Sequence, residues 1–189
     1  MHAALTTAVL VAVAEIGDKT QLLALLLASR FGRPVPIILG MLTATLLNHT
    51  LAGLVGGIAA AAIDPTLLRW TVGLVFLAMA AWTLVPDTLG DGTLGRHASG
   101  GAYLASVLCF FLAEMGDKTQ IATVALAARF GTMLPVVVGS TLGMMAVDIP
   151  TVLFGQFIGQ RISLHYVRYA AAALFALFGI LALLSVEIF

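Results

Sequence analysis

The chain has 189 residues, 61% of them hydrophobic and 10% charged, with nine basic residues balancing nine acidic ones. Soluble domains carry about 45–50% apolar and about 25% charged residues, so a chain with a mean hydropathy of +1.09 reads as all-α and embedded in a membrane. The zero net charge offers no basic patch for nucleic acid and no charged tail for docking.

The first apolar run, Leu5–Ser29, exceeds the about 20 residues that cross hydrocarbon, yet it carries Glu15, Asp18 and Lys19. It lacks the basic start of a secretory signal and reads as a retained membrane helix. Arg30-Phe31-Gly32 closes it. The second run, Val35–Ile63, carries Asn48 and His49, and is long enough to tilt or to break near Gly53, Gly56 and Gly57. The third run, Leu67–Val85, has Trp70 and Trp82 near its two ends, as interfacial anchors or as lipid-facing aromatics. Residues 87–101 form a Gly-, Asp- and Thr-rich linker without apolar periodicity. Three further runs follow: Ala102–Ala128, Leu134–Ile158 and Val167–Val186. Six transmembrane helices are predicted.

Cys109 is the only cysteine, so no intrachain disulfide can form; it reads as a small buried hydrophobe. His2, His49, His97 and His165 are scattered and form no local metal-binding pattern.

The chain repeats itself. Glu15-Ile16-Gly17-Asp18-Lys19-Thr20-Gln21 returns as Glu114-Met115-Gly116-Asp117-Lys118-Thr119-Gln120, 99 residues later. At the same offset Arg30-Phe31-Gly32 matches Arg129-Phe130-Gly131, Pro36 matches Pro135, and Gly40 matches Gly139. Gly56 matches Gly155, Arg69 matches Arg168, and Phe76 matches Phe175. The expected organisation is therefore a three-helix repeat over 1–86, a linker over 87–101 and a second three-helix repeat over 102–189. An odd number of crossings per repeat makes the second half enter the membrane inverted, and transporters often place a midplane site at such an interface. The loops carrying Arg30, Arg33, Arg96, Arg161 and Arg168 outweigh the opposite side, which has Arg69 and Arg129. The positive-inside rule then puts the linker in the cytoplasm and both termini outside, periplasmic or extracellular.

Two acids and a lysine within an apolar run are expensive to bury, and here the expense is repeated in the same local order. On a continuous helix Glu15 and Asp18 share one face, as do Glu114 and Asp117. Bringing the first and fourth helices together collects four carboxylates, an oxygen-rich site suited to hard divalent cations. Gly17 and Gly116 permit either close helix packing or a local break that exposes carbonyls. Thr20, Gln21, Thr119 and Gln120 add neutral oxygens, some of which a straight helix would turn away. Lys19 and Lys118 each follow a glutamate by four residues, the spacing of an intrahelical contact. Two lysines against four acids leave a charge of −2, which matches one divalent cation. Protons can take its place among the carboxylates when it leaves. His49 and Asp148 occupy matching positions in the second and fifth runs, as ligands, proton relays or packed polar contacts; Asn48 stands beside them in the sequence. If the charges only tied helices together, acids would not need to outnumber lysines in both halves.

The paired E-x-G-D-K-T segments resemble the GDT1/TMEM165 family, and the resemblance covers nearly the whole chain. It implies a secondary cation exchanger that moves Mn²⁺ or Ca²⁺ against protons, with Mn²⁺ export across a bacterial inner membrane as the leading expectation. The family motif falls on Glu15, Gly17, Asp18, Lys19 and Thr20, then on Glu114, Gly116, Asp117, Lys118 and Thr119. Asp148 departs from the polar amide associated with that part of the fifth helix. The rival readings are a Ca²⁺/H⁺ antiporter on the same scaffold, an exporter of a small organic solute, and a membrane assembly factor that moves nothing. No Walker-type loop is present, no cofactor is expected, and the reading is a transporter and not an enzyme.

Overall fold

The computed structural model describes residues 2–85, 101–158 and 164–184, all helical or in short turns. The eight helices are α1 (His2–Glu15), α2 (Lys19–Phe31), α3 (Pro34–Ala62), α4 (Pro65–Thr83), α5 (Gly101–Glu114), α6 (Lys118–Phe130), α7 (Met133–Ile158) and α8 (Leu164–Leu183). Nearly all of the linker expected over 87–101 lies outside the described residues, as do Arg96 and Arg161.

The chain is an all-α, multi-pass membrane protein. Among the described residues, three helices are long and apolar enough to cross a bilayer: α3, α4 and the Met133–Phe154 part of α7. Large apolar side chains such as Leu47, Leu51, Ile58 and Leu142 point outward, while Glu15, Asp18, His49, Glu114, Asp117 and Asp148 are buried. That inside-out distribution suits a lipid surround, where an exposed charge is far costlier than an exposed leucine.

Two expectations change at this level. The first and fourth runs are not single helices. Each breaks inside its acidic motif, at Gly17 (φ 83°) and Gly116 (φ 77°), a backbone conformation that glycine adopts without a Cβ penalty. The second run, by contrast, does not break at its glycines: α3 is one helix of 29 residues. Gly40, Gly53 and Gly56 sit against neighbouring helices instead.

Local chemistry fixes the helix ends. Gly32 and Gly131 end α2 and α6 in the left-handed conformation, with φ of 59° and 61°, and their amides return to the carbonyls of Ala28 and Ala127. Pro34 opens α3, and Asp64 caps α4 by accepting from the amides of Thr66 (2.9 Å) and Leu67 (3.2 Å).

Packing between the halves is reciprocal. Helix α1 lies on α7 and α5 lies on α3; α2 meets α7 and α6 meets α3. Gly40 of α3 backs onto the carbonyl of Tyr103, where a Cβ would stand 2.6 Å away; its repeat mate Gly139 backs onto the carbonyl of Ala4, the repeat mate of Tyr103. Residues 99 apart also touch each other: Phe76 stacks on Phe175 with ring centroids 6.1 Å apart, and the Thr45 hydroxyl lies 3.3 Å from Met144 Sδ. Lipid offers helices no hydrophobic gain on association, so these close glycine approaches carry much of the packing. Between α4 and α8, Gly73 and Gly179 meet in the same way.

Adding one methyl group at Gly139 should therefore separate α1 from α7, while Gly57, with open space around its Cβ position, should accept one. Gly139→Ala is expected to destabilise the detergent-solubilised protein by about 1–3 kcal/mol. Gly57→Ala is expected to leave the protein unchanged or slightly more stable. Thermal unfolding in detergent checks both.

A candidate cation site between the two halves

The break at Gly17 decides how the first motif is displayed. Helix α1 ends on Glu15 and α2 begins after Asp18, whose amide bonds back to the Glu15 carbonyl (3.0 Å). The second motif is built alike, with the Asp117 amide on the Glu114 carbonyl at 3.0 Å. Glutamate and aspartate thus do not share one continuous helical face, as their spacing predicts. They sit on either side of a turn. The reason is glycine: the left-handed turn at Gly17 and Gly116 interrupts the helical ladder between the two acids.

The turn makes use of the residues that a straight helix would have scattered. Thr20 Oγ1 donates to Glu15 Oε1, and Thr119 Oγ1 donates to Glu114 Oε2 at 2.7 Å. Gln21 Oε1 accepts from the Gly17 amide (2.6 Å), and Gln120 Oε1 accepts from the Gly116 amide (2.7 Å). The glutamines therefore tie the break itself, where the freed amides would otherwise lack an acceptor. Their amide groups reach the opposite half: Gln21 Nε2 lies 3.3 Å from Thr151 Oγ1 on α7, and Gln120 Nε2 lies 3.5 Å from Asn48 Oδ1 on α3. Asn48 in turn donates to the carbonyl of Phe111 (3.1 Å).

The lysines do not make the intrahelical Glu–Lys contacts that their spacing predicts. Lys19 Nζ pairs with Asp117 Oδ1 at 2.7 Å, and Lys118 Nζ pairs closely with Asp18 Oδ1. Both pairs cross between the halves, and each is the repeat image of the other. Starting a new helix at residues 19 and 118 swings each ammonium away from the glutamate on the helix before it. The environments differ: 21% of the Lys19 side chain is exposed but only 4% of that of Lys118.

Glu15, Asp18 and Glu114 each offer one carboxylate oxygen, and these oxygens lie within 4.8 Å of one another. Two belong to the first motif and one to the second, so the group exists only where the halves meet. All three residues are buried, and Glu15 Oε2 and Glu114 Oε1 have no hydrogen-bond partner. Such oxygens can hold a hard divalent cation. Asp117 is held by Lys19 at one oxygen and is unpartnered at the other.

Of the residues outside the motifs, Asp148 is fully buried and neither of its carboxylate oxygens has a hydrogen-bond partner. His49 is equally buried; its Nδ1 lies 3.4 Å from Thr141 Oγ1, and its Nε2 is unpartnered. Thr141 and Thr151 had no place in the sequence reading. A signal for Thr151 was present: it lies three residues beyond Asp148, on the same helical face, and follows Pro150 inside α7. For Thr141 the sequence carried none.

Buried carboxylates gathered from two halves of an all-α membrane protein define a membrane cation carrier. Residues 3–91 and 102–187 match the family described as "Divalent cation/proton antiporter GDT1". The chain belongs to that family, and it is a secondary divalent cation/proton antiporter, not an enzyme. It is 47% identical over 169 residues to a Vibrio cholerae protein named "Putative manganese exporter", covering 88% of this chain and 83% of the other. It is 30% identical to a GDT1-like protein of Synechocystis, with 92% of each chain covered. A chloroplastic PAM71 homologue of Arabidopsis thaliana is 28% identical, covering 89% of this chain and 55% of the other. No solved structure matches the chain.

The crossed ion pairs carry a prediction about stability. Lys118→Met strands Asp18 buried beside like charges, and breaking a buried pair costs about 3–5 kcal/mol. Lys118→Met combined with Asp18→Asn removes both charges and is expected to recover much of that loss. A double-mutant cycle on thermal stability in detergent should show the coupling; additive losses would mean that the pair is not formed.

Proposed function

We propose that this protein exports Mn²⁺ from the cytoplasm in exchange for protons, through one site shared by two inverted repeats. The observation that carries the reading is the meeting of Glu15, Asp18 and Glu114 at the junction of the halves, flanked by reciprocal lysine–aspartate pairs. Glu15, Asp18, Glu114 and Asp117 are the cation-binding and proton-coupling residues. Gly17, Lys19, Thr20 and Gln21, with Gly116, Lys118, Thr119 and Gln120, shape and neutralise the site. Asn48, His49 and Asp148 lie around it.

The charge arithmetic supports exchange. Lys19 and Lys118 each neutralise an aspartate of the opposite half, which leaves Glu15 and Glu114 to balance one divalent cation. Cation and protons compete for the same carboxylate oxygens, so binding one releases the other. All the gathered ligands are oxygens, as Mn²⁺ and Ca²⁺ both accept. The Vibrio cholerae relative's name favours manganese. Ca²⁺/H⁺ exchange is the alternative substrate assignment on the same site.

In the membrane, α1 with α2 forms one crossing interrupted at the motif, and α5 with α6 forms another. Helices α3, α4, α7 and α8 complete six. Residues 1–86 and 102–189 are then the two repeats, of opposite orientation, with the linker at 87–101 between them. The excess of arginines at residues 30, 33, 96, 161 and 168 places the linker in the cytoplasm and both termini outside. The Vibrio cholerae relative supports placing the protein in a bacterial inner membrane.

Purified protein in vesicles is expected to move Mn²⁺ when a pH gradient is imposed and to stop when the gradient is collapsed. Ca²⁺ carried faster than Mn²⁺ would overturn the substrate assignment. Glu15→Gln, Asp18→Asn, Glu114→Gln and Asp117→Asn are each expected to weaken apparent cation affinity by about tenfold or more, as losing a charge-assisted contact of about 1.5–3 kcal/mol implies. Flux normalised to inserted protein is the measure; four normal fluxes would make these acids structural. For orientation, Thr93→Cys in a Cys109→Ala background is expected to react with an impermeant thiol reagent from the cytoplasmic face. Reaction from outside alone would reverse the topology.

A further inference from the structure

The two halves are alike in sequence but not in shape. Between the last turns of α2 and the α7 segment from Thr151 to Phe154 lies a cleft of about 290 Å³. Leu25, Ala28 and Ser29 line it on one side, together with the exposed turn residues Gly32, Arg33 and Pro34. The repeat image of this cleft would lie between α6 and α3, and there the helices are shut together. A Cβ on Gly56 would meet the Val124 carbonyl and stand 2.7 Å from Ala127 Cβ. Just beyond α6, at the start of α7, a Cβ on Gly53 would stand 2.7 Å from Val137 and 3.0 Å from Met133. Val124, Ala127 and Met133 are the repeat mates of Leu25, Ala28 and Pro34, which line the open cleft. Burial follows the same division: Ser29 is exposed, whereas its mate Ala128 is 5% exposed.

The cleft leads toward the carboxylates. Its floor holds Thr151, whose hydroxyl meets Gln21 Nε2 at 3.3 Å, and Gln21 is the residue that ties the break at Gly17. One helical turn from Thr151 stands Asp148, buried and with both oxygens unpartnered. The mates of these two residues on the closed side are Ala52 and His49. An anionic oxygen thus waits behind the open cleft, and none waits at the equivalent place behind the closed one. Arg33 stands exposed beside the cleft, where solvent screens it.

We propose that the cleft between α2 and α7 is the water-filled entrance through which the divalent cation reaches the carboxylates, with Thr151 and Gln21 at its gate and Asp148 as the first ligand behind them. The interface of α3 with α6 is its closed counterpart, which opens when the cation leaves by the other side. The proposal rests on the exchanger reading, since it supplies the passage to that site. With the α2–α3 turn on the cytoplasmic side, the open cleft faces the compartment from which the cation is exported.

Cysteine accessibility tests this without requiring transport. Ser29→Cys, Ala128→Cys and Leu22→Cys are made singly in a Cys109→Ala background and exposed to a charged methanethiosulfonate reagent in permeabilised, cation-free membranes. Leu22 lies on α2 outside the cleft and is 47% exposed, so its cysteine would face lipid, where the reagent does not react. Ser29→Cys is expected to react about tenfold or more faster than both others, because a minor opposite state is populated at about 0.1–10%. Ala128→Cys reacting as fast as Ser29→Cys, or Ser29→Cys as slow as Leu22→Cys, would overturn the proposal. A plug at Ala28→Trp is expected to abolish Mn²⁺ flux in vesicles while Leu26→Trp transports normally; normal flux through Ala28→Trp would also overturn it. Failure of the exchanger reading shows differently, as absent flux in the unmutated protein whatever the labelling pattern.

Discussion

Charge buried in an apolar protein must be matched, and here both lysines of the buried motifs find their carboxylates across the interface between the two halves. Lys19 has its carboxylate at Asp117 and Lys118 has its carboxylate at Asp18, each across the interface. Neither half could bury its own motif alone, because removing one partner of such a pair leaves an uncompensated charge in hydrocarbon. The interface is therefore held together by the groups that would build the proposed cation site. Glycine contacts at Gly40 and Gly139 then bring α3 against α5 and α7 against α1.

The broken helices follow from the same need. A continuous helix would have satisfied Glu–Lys pairing locally, at four-residue spacing, and left the aspartates to find partners elsewhere. The turns at Gly17 and Gly116 give up that local pairing. They allow Thr20 and Thr119 to donate to the glutamates, and they let Gln21 and Gln120 take up the freed amides. One oxygen of each glutamate is left without a partner, and that is what a transported cation needs: a ligand held in place but not already satisfied. Irregular backbone at membrane depth is tolerated where protein or a polar cavity surrounds it.

Much of this was legible in the sequence because duplication prints it twice. The offset of 99 residues aligns the acidic motifs, the Arg-Phe-Gly helix ends and the packing glycines, and the apolar runs mark most of the helix bounds. What the sequence left open was register. Gly17 was compatible with close packing or with a break, since glycine serves both, and only the neighbouring helices decide between them. The lysine spacing suggested a partner within the helix, whereas the actual partner depends on how two distant segments meet. Thr151 and Thr141 are hydroxyls in an apolar run, and a hydroxyl on α7 does not announce which helix it will face. The difference between the open and closed interfaces was not readable either: the mates Leu25 and Val124, or Ala28 and Ala127, are equivalent apolar residues, and the asymmetry lies in the backbone arrangement.

The central claim is that the two halves form one cation site, not two. Counting bound Mn²⁺ by electron paramagnetic resonance on purified protein tests it most directly. One Mn²⁺ per chain is expected, with binding weakened alike by Glu15→Gln, from the first half, and by Glu114→Gln, from the second. Two Mn²⁺ per chain, with each substitution removing one and sparing the other, would contradict it.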